Sequence, residues 1–477
     1  MNKIFRYGTI IIFMLGVAIF SGCSNRLEKN NLLDPNKPIT VIVWHYYNGN
    51  IKEAFDDLVS EFNETVGMEQ GIVVEAKSQG DVNQLATAVF DAANQSIGSS
   101  PMPDIFAAYP DNAYRVNQIT NLVHLETYFS KEEIEAYRQE FLEEGRFSPN
   151  NQFFIVPIAK STENLFVNKN YWEKFASENG FTNADLSTWE GLYDVSKTYY
   201  ETTGKGFFGI DASANFMLQV AVQMGSEMFD YSSGDATFNL TPEIAEYIWQ
   251  YYYKPYVKGY FTKTGRFSSD DAKTGTVLAY IGSTAGAAYF PTEVTFSQQE
   301  VYKIEPLVLP YPYFKEGEPY AIQQGAGMCI SQSDEAHEYA SSLFLKWFTE
   351  ADQNLKFAVS TGYLPVKNEA LNESKLLGAL EHTKQTNPAI KASIITTTKM
   401  LKDYAFYNNK PFLGSYEIRV LLETNLYEKT ARDLEQIENR VAGGEDRDSV
   451  IETLISKAEF EKWYEQMLHE ADLIMKK

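Results

Sequence analysis

Hydrophobic and polar positions along the chain follow a strand-like and a helix-like rhythm in turn. Residues 39–44 (ITVIVW) form a continuous apolar, β-branched run, which predicts a buried strand. Asn48-Gly49-Asn50 marks a turn, and Ile51, Phe55, Leu58, Val59 and Phe62 then recur at helical spacing, predicting a helix packed back on that strand. Residues 72–76 (IVVEA) predict a second strand, 84–93 a second helix and 103–108 (PDIFAA) a third strand. Strands and helices alternating at this pace specify a parallel sheet in an α/β domain. Right-handed crossovers place the strand ends along one edge, and ligands of such sheets sit beyond the carboxyl ends of the strands.

Further strands are predicted at 153–158 (FFIVPI) and 164–167 (NLFV). Helices are predicted to begin at Tyr171-Trp172, at Trp189 behind the capping pair Ser187-Thr188, and at Thr241-Pro242-Glu243. Ser333 or Asp334 caps another helix, with Ala336, Ala340, Phe344 and Trp347 on one face, that ends before Ser360-Thr361-Gly362. About the last hundred residues read as helical, broken at Ala442-Gly443-Gly444. Tyr251, Tyr252, Tyr253 and Tyr256 make the densest aromatic run, but at helical spacing some of these rings must face the core.

One apolar run fits neither rhythm. Tyr7 to Phe20 is almost wholly apolar, follows Lys3 and Arg6, and leads into Ser21-Gly22-Cys23, the layout of a secretory signal. At 14 residues it is short for a bilayer core, which needs roughly 20. Phe20-Ser21-Gly22-Cys23 also resembles a bacterial lipobox. Residues 1–22 are therefore expected to be a lipoprotein signal peptide, Cys23 the lipidated (palmitate-bearing) residue, and 23–37 a polar tether to the outer face of the cell membrane.

With 477 residues, 44% of them apolar, the chain has ample core material for more than one domain. The formal net charge of -23 argues against a general nucleic-acid binder, which needs a basic surface. Two cysteines define no disulfide framework, and Cys329, inside Met328-Cys329-Ile330, reads as a buried thiol. No pair among the five histidines has metal-ligand spacing, and no Gly-x-Ser-x-Gly elbow occurs. Residues 230–235 are only faintly like a calcium loop, lacking the regular spacing and the terminal Glu. No catalytic residue, metal ligand or cofactor is assigned, and a binding protein rather than an enzyme is expected.

Several stretches in order carry a resemblance: ITVIVWHYYNGNIKEAFDDLVSEFNE, PDIFAAYPDNAYRV, IVPIAKSTENLFVNKNYWEKF, TWEGLYDVSKTY, TGTVLAYIGSTAG and SDEAHEYASSLFLKWFTEADQNLKFAVSTGYLPV, the last like a long helix pair closing on the Gly362-Tyr363-Leu364-Pro365 turn. Together they resemble the extracellular solute-binding proteins of carbohydrate-type ABC importers, the maltose-binding-like group (family 1). The resemblance implies an α/β, two-lobed periplasmic-binding-protein-like fold, each lobe a mainly parallel sheet flanked by helices. Lobe one would comprise 38–155 and 322–365, and lobe two 156–321 and 366–477. It further implies a small-molecule ligand, expected to be a carbohydrate, caught between lobes that close about a hinge, and ABC importer permease subunits as partners.

Sugars present apolar faces ringed by hydroxyls, so their sites combine aromatic rings with carboxylates and amides. Trp44 and Tyr46 follow the first strand, and Tyr109 and Asp111 the third. Ser161 and Glu163 follow the first crossing between lobes, Gly282 and Ser283 lie in a small-residue turn, and Gln324 and Gly325 sit at the return crossing. These ten are the candidate ligand-binding residues. At this level alternatives stay open: rings packed under a loop, a helix cap at Asp111, a surface turn at 161–163, scaffold at 282–286. An anionic ligand of the glycerol-phosphate type, met by Arg115, Lys160 or Lys169, is the runner-up to a neutral oligosaccharide. A sensor or a glycan hydrolase on the same fold stands behind both.

Overall fold

The computed structural model describes residues 32–147, 150–231, 236–297, 300–382 and 387–476. The signal segment, Cys23, most of the tether and residues 232–235 lie outside the described residues.

Two four-stranded sheets organise the chain. In the first, Ile39–His45 lies between Ile72–Ser78 and Ile105–Ala108, parallel to both, and Gly327–Ile330 joins antiparallel at the Ile105–Ala108 edge. The Gly49–Phe62 helix buries Ile51, Phe55, Leu58, Val59 and Phe62, the face its spacing predicts. The Val82–Ala93 helix begins two residues before the predicted start. Asp81 caps it, accepting from the Asn83 and Gln84 N–H groups, while Gln84 closes the capping box. These helices and Glu335–Phe348 pack with the sheet into one apolar core that includes Phe55, Phe106, Phe344 and Cys329. Cys329 is a free, fully buried thiol, as expected.

The second sheet runs Pro306–Leu309, Glu163–Asn168, Ala279–Ser283, Phe208–Ile210. It is mixed rather than mainly parallel. Glu163–Asn168 is antiparallel to both neighbours, and only Ala279–Ser283 with Phe208–Ile210 is parallel. The sequence hides this because Glu163–Asn168 is buried on both faces, and such a strand reads the same in either direction. One face of this sheet supports the largest core, with Trp172, Trp189, Tyr252, Tyr253 and the C-terminal helices. The other packs Phe166 and Tyr280 against Ile390 and Ile394 of the Pro388–Asp403 helix.

Three further expectations are adjusted. The segment at 153–158 is not a strand of either sheet. Gln152–Phe153 pairs only with Arg146–Phe147, and Val156 makes an isolated bridge to Met328. The stretch expected from its spacing to be one helix ending before Ser360 is two, Glu335–Phe348 and Ala351–Thr361, separated at Thr349-Glu350, the helix pair that the resemblance implies. The second of these puts Phe357 into the first core, and Leu355 and Val359 into the core under the second sheet. The C-terminal region is helical except for Ala405–Tyr407, which pairs parallel with Tyr320–Ile322. Trp249–Tyr253 is a π-helical turn that drives Tyr252 and Tyr253 into the core, where Tyr256 joins them.

Candidate functional site

Three crossings of the chain join the lobes, and they hydrogen-bond side by side. Val156 exchanges backbone hydrogen bonds with Met328 (2.9 and 2.8 Å), Ser161 with Gln324 (2.9 and 2.7 Å) and Lys160 with Leu364 (3.0 and 2.6 Å). Gly325 adopts φ +89°, and a Cβ there would fall 2.4 Å from the Ala159 carbonyl oxygen, so this position requires glycine. Lys160 is fully buried beside it. Its Nζ donates to the Glu144 carboxylate and, at 2.6 Å, to the Gly325 carbonyl. The other Glu144 oxygen accepts from the Gln323 amide at 3.0 Å. Burial pulls the Lys160 ammonium below the usual lysine range, and Glu144 works against that pull.

Lobe one presents hydroxyls to this junction from the carboxyl ends of its strands. Tyr109 Oη accepts from the Gly325 N–H and Tyr46 Oη from the Ala326 N–H, both at 3.4 Å; Tyr46 Oη lies 3.5 Å from Tyr363 Oη. Burial holds all three phenols above their ordinary range, so they stay protonated as donors and acceptors. Asp111 sits in the first turn of the Pro110–Asn117 helix, which Tyr109 precedes and Pro110 opens. Asp111 Oδ1 accepts from the Asn112 N–H at 2.8 Å. Burial raises the Asp111 carboxyl, and the guanidinium of Arg419, which belongs to lobe two, opposes the rise.

Lobe two answers with a chain of amides. Glu163 Oε1 accepts from Asn215 (2.7 Å) and Gln324 (3.2 Å), and Oε2 from Gln219 (2.9 Å). Asn215 in turn accepts from Arg419 at 3.0 Å. Burial pushes the Glu163 carboxyl up to about 7 against the pull of the Asn215 and Gln219 amides. Glu163 is thus a knot that fixes Asn215, which aims Arg419. Nearby, a Cβ on Gly282 would fall 2.9 Å from Asp211 Oδ2. Lys263 Nζ donates to the Asp211 carbonyl at 2.8 Å and lies 5.5 Å from the Tyr427 ring centroid. Ser283 Oγ donates to Ser161 Oγ at 3.4 Å.

The structure therefore gathers Tyr46, Tyr109, Asp111, Ser161, Glu163, Gly282, Ser283, Gln324 and Gly325 around the seam between the lobes. Trp44 stands apart: at 5% exposure it belongs to the lobe-one core, enclosed where its strand pairs with Phe106 and Lys77. The three cations suggested for an anionic ligand are committed elsewhere. Lys160 is paired with Glu144, Lys169 with Glu305 at 2.8 Å, and Arg115 lies against Phe90 and Tyr416. Sequence reasoning missed Asn215, Arg419, Lys263 and Tyr427, none of which sits in a motif. Tyr363 lay within the Gly-x-Leu-Pro turn without being singled out. Among the described residues, no group of three or more His, Cys, Asp or Glu side chains is placed to hold a metal ion. Nor is any helix there long and apolar enough to cross a membrane.

The fold is shared with solved structures. A cyclic alpha-maltosyl-1,6-maltose binding protein from Arthrobacter globiformis superposes with a TM-score of 0.63 at 20% identity, covering 90% of this chain and 99% of that one. The maltose/maltodextrin-binding domain MalE from Bdellovibrio bacteriovorus, bound to maltotriose, gives 0.64 at 14% identity over 92% and 100%. UgpB from Mycobacterium tuberculosis, in complex with glycerophosphocholine, gives 0.62 at 18% over 90% and 99%. No curated protein matches the chain significantly by sequence. The sequence profile of bacterial extracellular solute-binding proteins matches residues 57–392, which take in the whole second sheet, the first sheet except Ile39–His45, and all three crossings. This chain belongs to the bacterial extracellular solute-binding protein family.

Proposed function

We propose that the protein captures a neutral oligosaccharide between its lobes and delivers it to the permease subunits of an ABC importer, tethered to the outer membrane face through a lipid on Cys23. The observation that carries the ligand class is a carboxyl and a guanidinium of opposite lobes, Asp111 and Arg419, near enough to act on one another electrostatically, beside the hydroxyls of Tyr46, Tyr109 and Tyr363. A sugar diol satisfies both charges together, its hydroxyls donating to the carboxylate and accepting from the guanidinium. A phosphodiester would be drawn to Arg419 but repelled by Asp111, and the other cations suggested for it are already paired. The relatives that bind maltose-type sugars support the same choice; the one that binds glycerophosphocholine defines the competing outcome. The site residues act by recognition and no turnover is assigned to them.

Thermal shift of the purified protein against mono- and oligosaccharides, polyols and glycerophosphodiesters tests the reading, because a tight ligand raises the melting temperature by mass action. A shift by one saccharide class is expected. Asp111→Asn should then weaken binding by about 10- to 100-fold, the worth of one charge-assisted hydrogen bond. Exclusive response to glycerophosphodiesters would replace the neutral-sugar assignment while leaving transport intact. Turnover of a glycan would overturn the binder reading altogether. Metabolic labelling with a palmitate analogue, lost in Cys23→Ala, tests the anchor.

A further inference from the structure

The Val82–Ala93 helix of lobe one meets lobe two directly at its start and, near its other end, through Arg115 of the neighbouring Pro110–Asn117 helix. At its start, the Asp81 carboxylate divides its oxygens. Oδ1 caps the helix, accepting from the Asn83 (2.8 Å) and Gln84 (2.9 Å) N–H groups, and Oδ2 pairs with Arg266 at 2.5 Å. Arg266 precedes the Ser268–Lys273 helix, which packs Ala272 under the second sheet. Near its other end, Phe90 lies 4.1 Å from the Arg115 guanidinium. The same guanidinium lies 3.8 Å from the ring of Tyr416, in the first turn of the lobe-two helix Ser415–Ala442. Nine residues of helix separate Asp81 from Phe90, or roughly 14 Å.

The two contacts differ in weight. The Arg266 side chain is 65% exposed, and an exposed ion pair contributes little and is screened by salt. Arg115 is 20% exposed, and its Nε is buried without a hydrogen-bond partner. One terminal nitrogen donates to Asn112 at 2.9 Å, and the other lies 3.8 Å from Glu417. The guanidinium is thus largely withdrawn from water and in contact with two aromatic rings, one from each lobe, and this is the desolvated setting in which cation–π attraction is strongest. Opening the lobes would strip Tyr416 from the stack.

We propose that Phe90, Arg115 and Tyr416 form a clasp that holds the lobes closed without ligand, with Asp81–Arg266 as a weaker, salt-sensitive second point. The clasp sets how much of the unliganded protein is closed. Apparent affinity for any ligand that binds the closed form scales with that fraction, so the clasp tunes affinity from outside the ligand site.

Small-angle X-ray scattering of the purified protein in the absence of any solute reads the clasp directly and does not depend on the ligand class. The unliganded wild type is expected to scatter as a compact, predominantly closed particle. Tyr416→Ala should raise the open-to-closed ratio by about 3- to 30-fold, the span of a cation–π contact, and increase the radius of gyration. Tyr416→Phe, which keeps the ring face, should scatter as wild type. In Tyr416→Ala the remaining closed fraction should fall further at 1 M NaCl, whereas the wild type changes little. A wild type that scatters as an open particle overturns the proposal. So does a folded Tyr416→Ala, checked by far-UV circular dichroism, with the same scattering as wild type. A Tyr416→Phe as open as Tyr416→Ala would show that the phenol hydroxyl, and not the stack, holds the lobes.

Discussion

Replacing Glu144 by leucine isolates the contribution of the buried ion pair in the hinge. Lys160 is fully buried, Glu144 is 6% exposed, and their contact ties the first crossing to the Glu143–Gly145 turn of lobe one. Removing the carboxylate leaves an ammonium with only the Gly325 carbonyl at 2.6 Å, and leaves the Gln323 amide without its acceptor. Breaking one side of a buried pair costs about 3–5 kcal/mol, because the remaining charge stays desolvated. Removing both charges in Lys160→Met with Glu144→Leu should cost less, about 1–3 kcal/mol. What remains is the unsatisfied Gly325 carbonyl and Gln323 amide, each worth roughly 1 kcal/mol or more. Equilibrium urea unfolding followed by tryptophan fluorescence, with unchanged m-values, gives each cost and a favourable coupling of about 2 kcal/mol or more. A single variant costing under about 1 kcal/mol, or a double variant as costly as the two singles summed, would refute the argument that Lys160 depends on Glu144.

Two other outcomes follow from the same seam. The Glu163 carboxyl titrates at about 7 when folded and near 4.5 when unfolded. The folded state therefore binds the extra proton between these values, and its contribution is whole below about pH 4.5 and lost as pH rises through about 7. That loss is about 3 kcal/mol, and Glu163→Gln should remove this component of the slope in urea titrations at pH 5 and 8; an unchanged slope would assign it elsewhere. Gly325→Ala forces a side chain into φ +89° and against the Ala159 carbonyl, so a loss of more than about 2 kcal/mol is expected, and a variant as stable as wild type would contradict the geometry.

Local pattern made one half of the candidate site legible. Tyr46, Tyr109 and Asp111 follow strands whose apolar runs are visible residue by residue, and the rule for strand ends did the rest. Trp44 shows the limit of that rule: two residues before Tyr46, it is still inside the paired part of its strand, between Phe106 and Lys77, and is enclosed in the core. Strand direction in the second sheet was hidden because Leu165, Phe166 and Val167 are buried on both faces, leaving no alternation to read. Arg419 was beyond reach for a different reason. It gains its role only through Asn215 and Glu163, which come from distant parts of the chain, and a helix residue with no neighbouring motif carries no mark of such a partnership.

The interleaving of the lobes has a consequence for the order in which the chain is made. Ile330 pairs with Ile105, and all four strands of the second sheet are encoded between them. A polypeptide emerging amino end first therefore presents a three-stranded parallel sheet with one edge unfilled, and the Glu335–Phe348 helix that covers its core arrives later still. Closing so long a loop is slow, so the amino-terminal half stays uncommitted while synthesis continues. For an extracellular protein this delay is useful: a chain that cannot complete its first lobe early remains threadable through a membrane channel, and folds once its last partners have crossed.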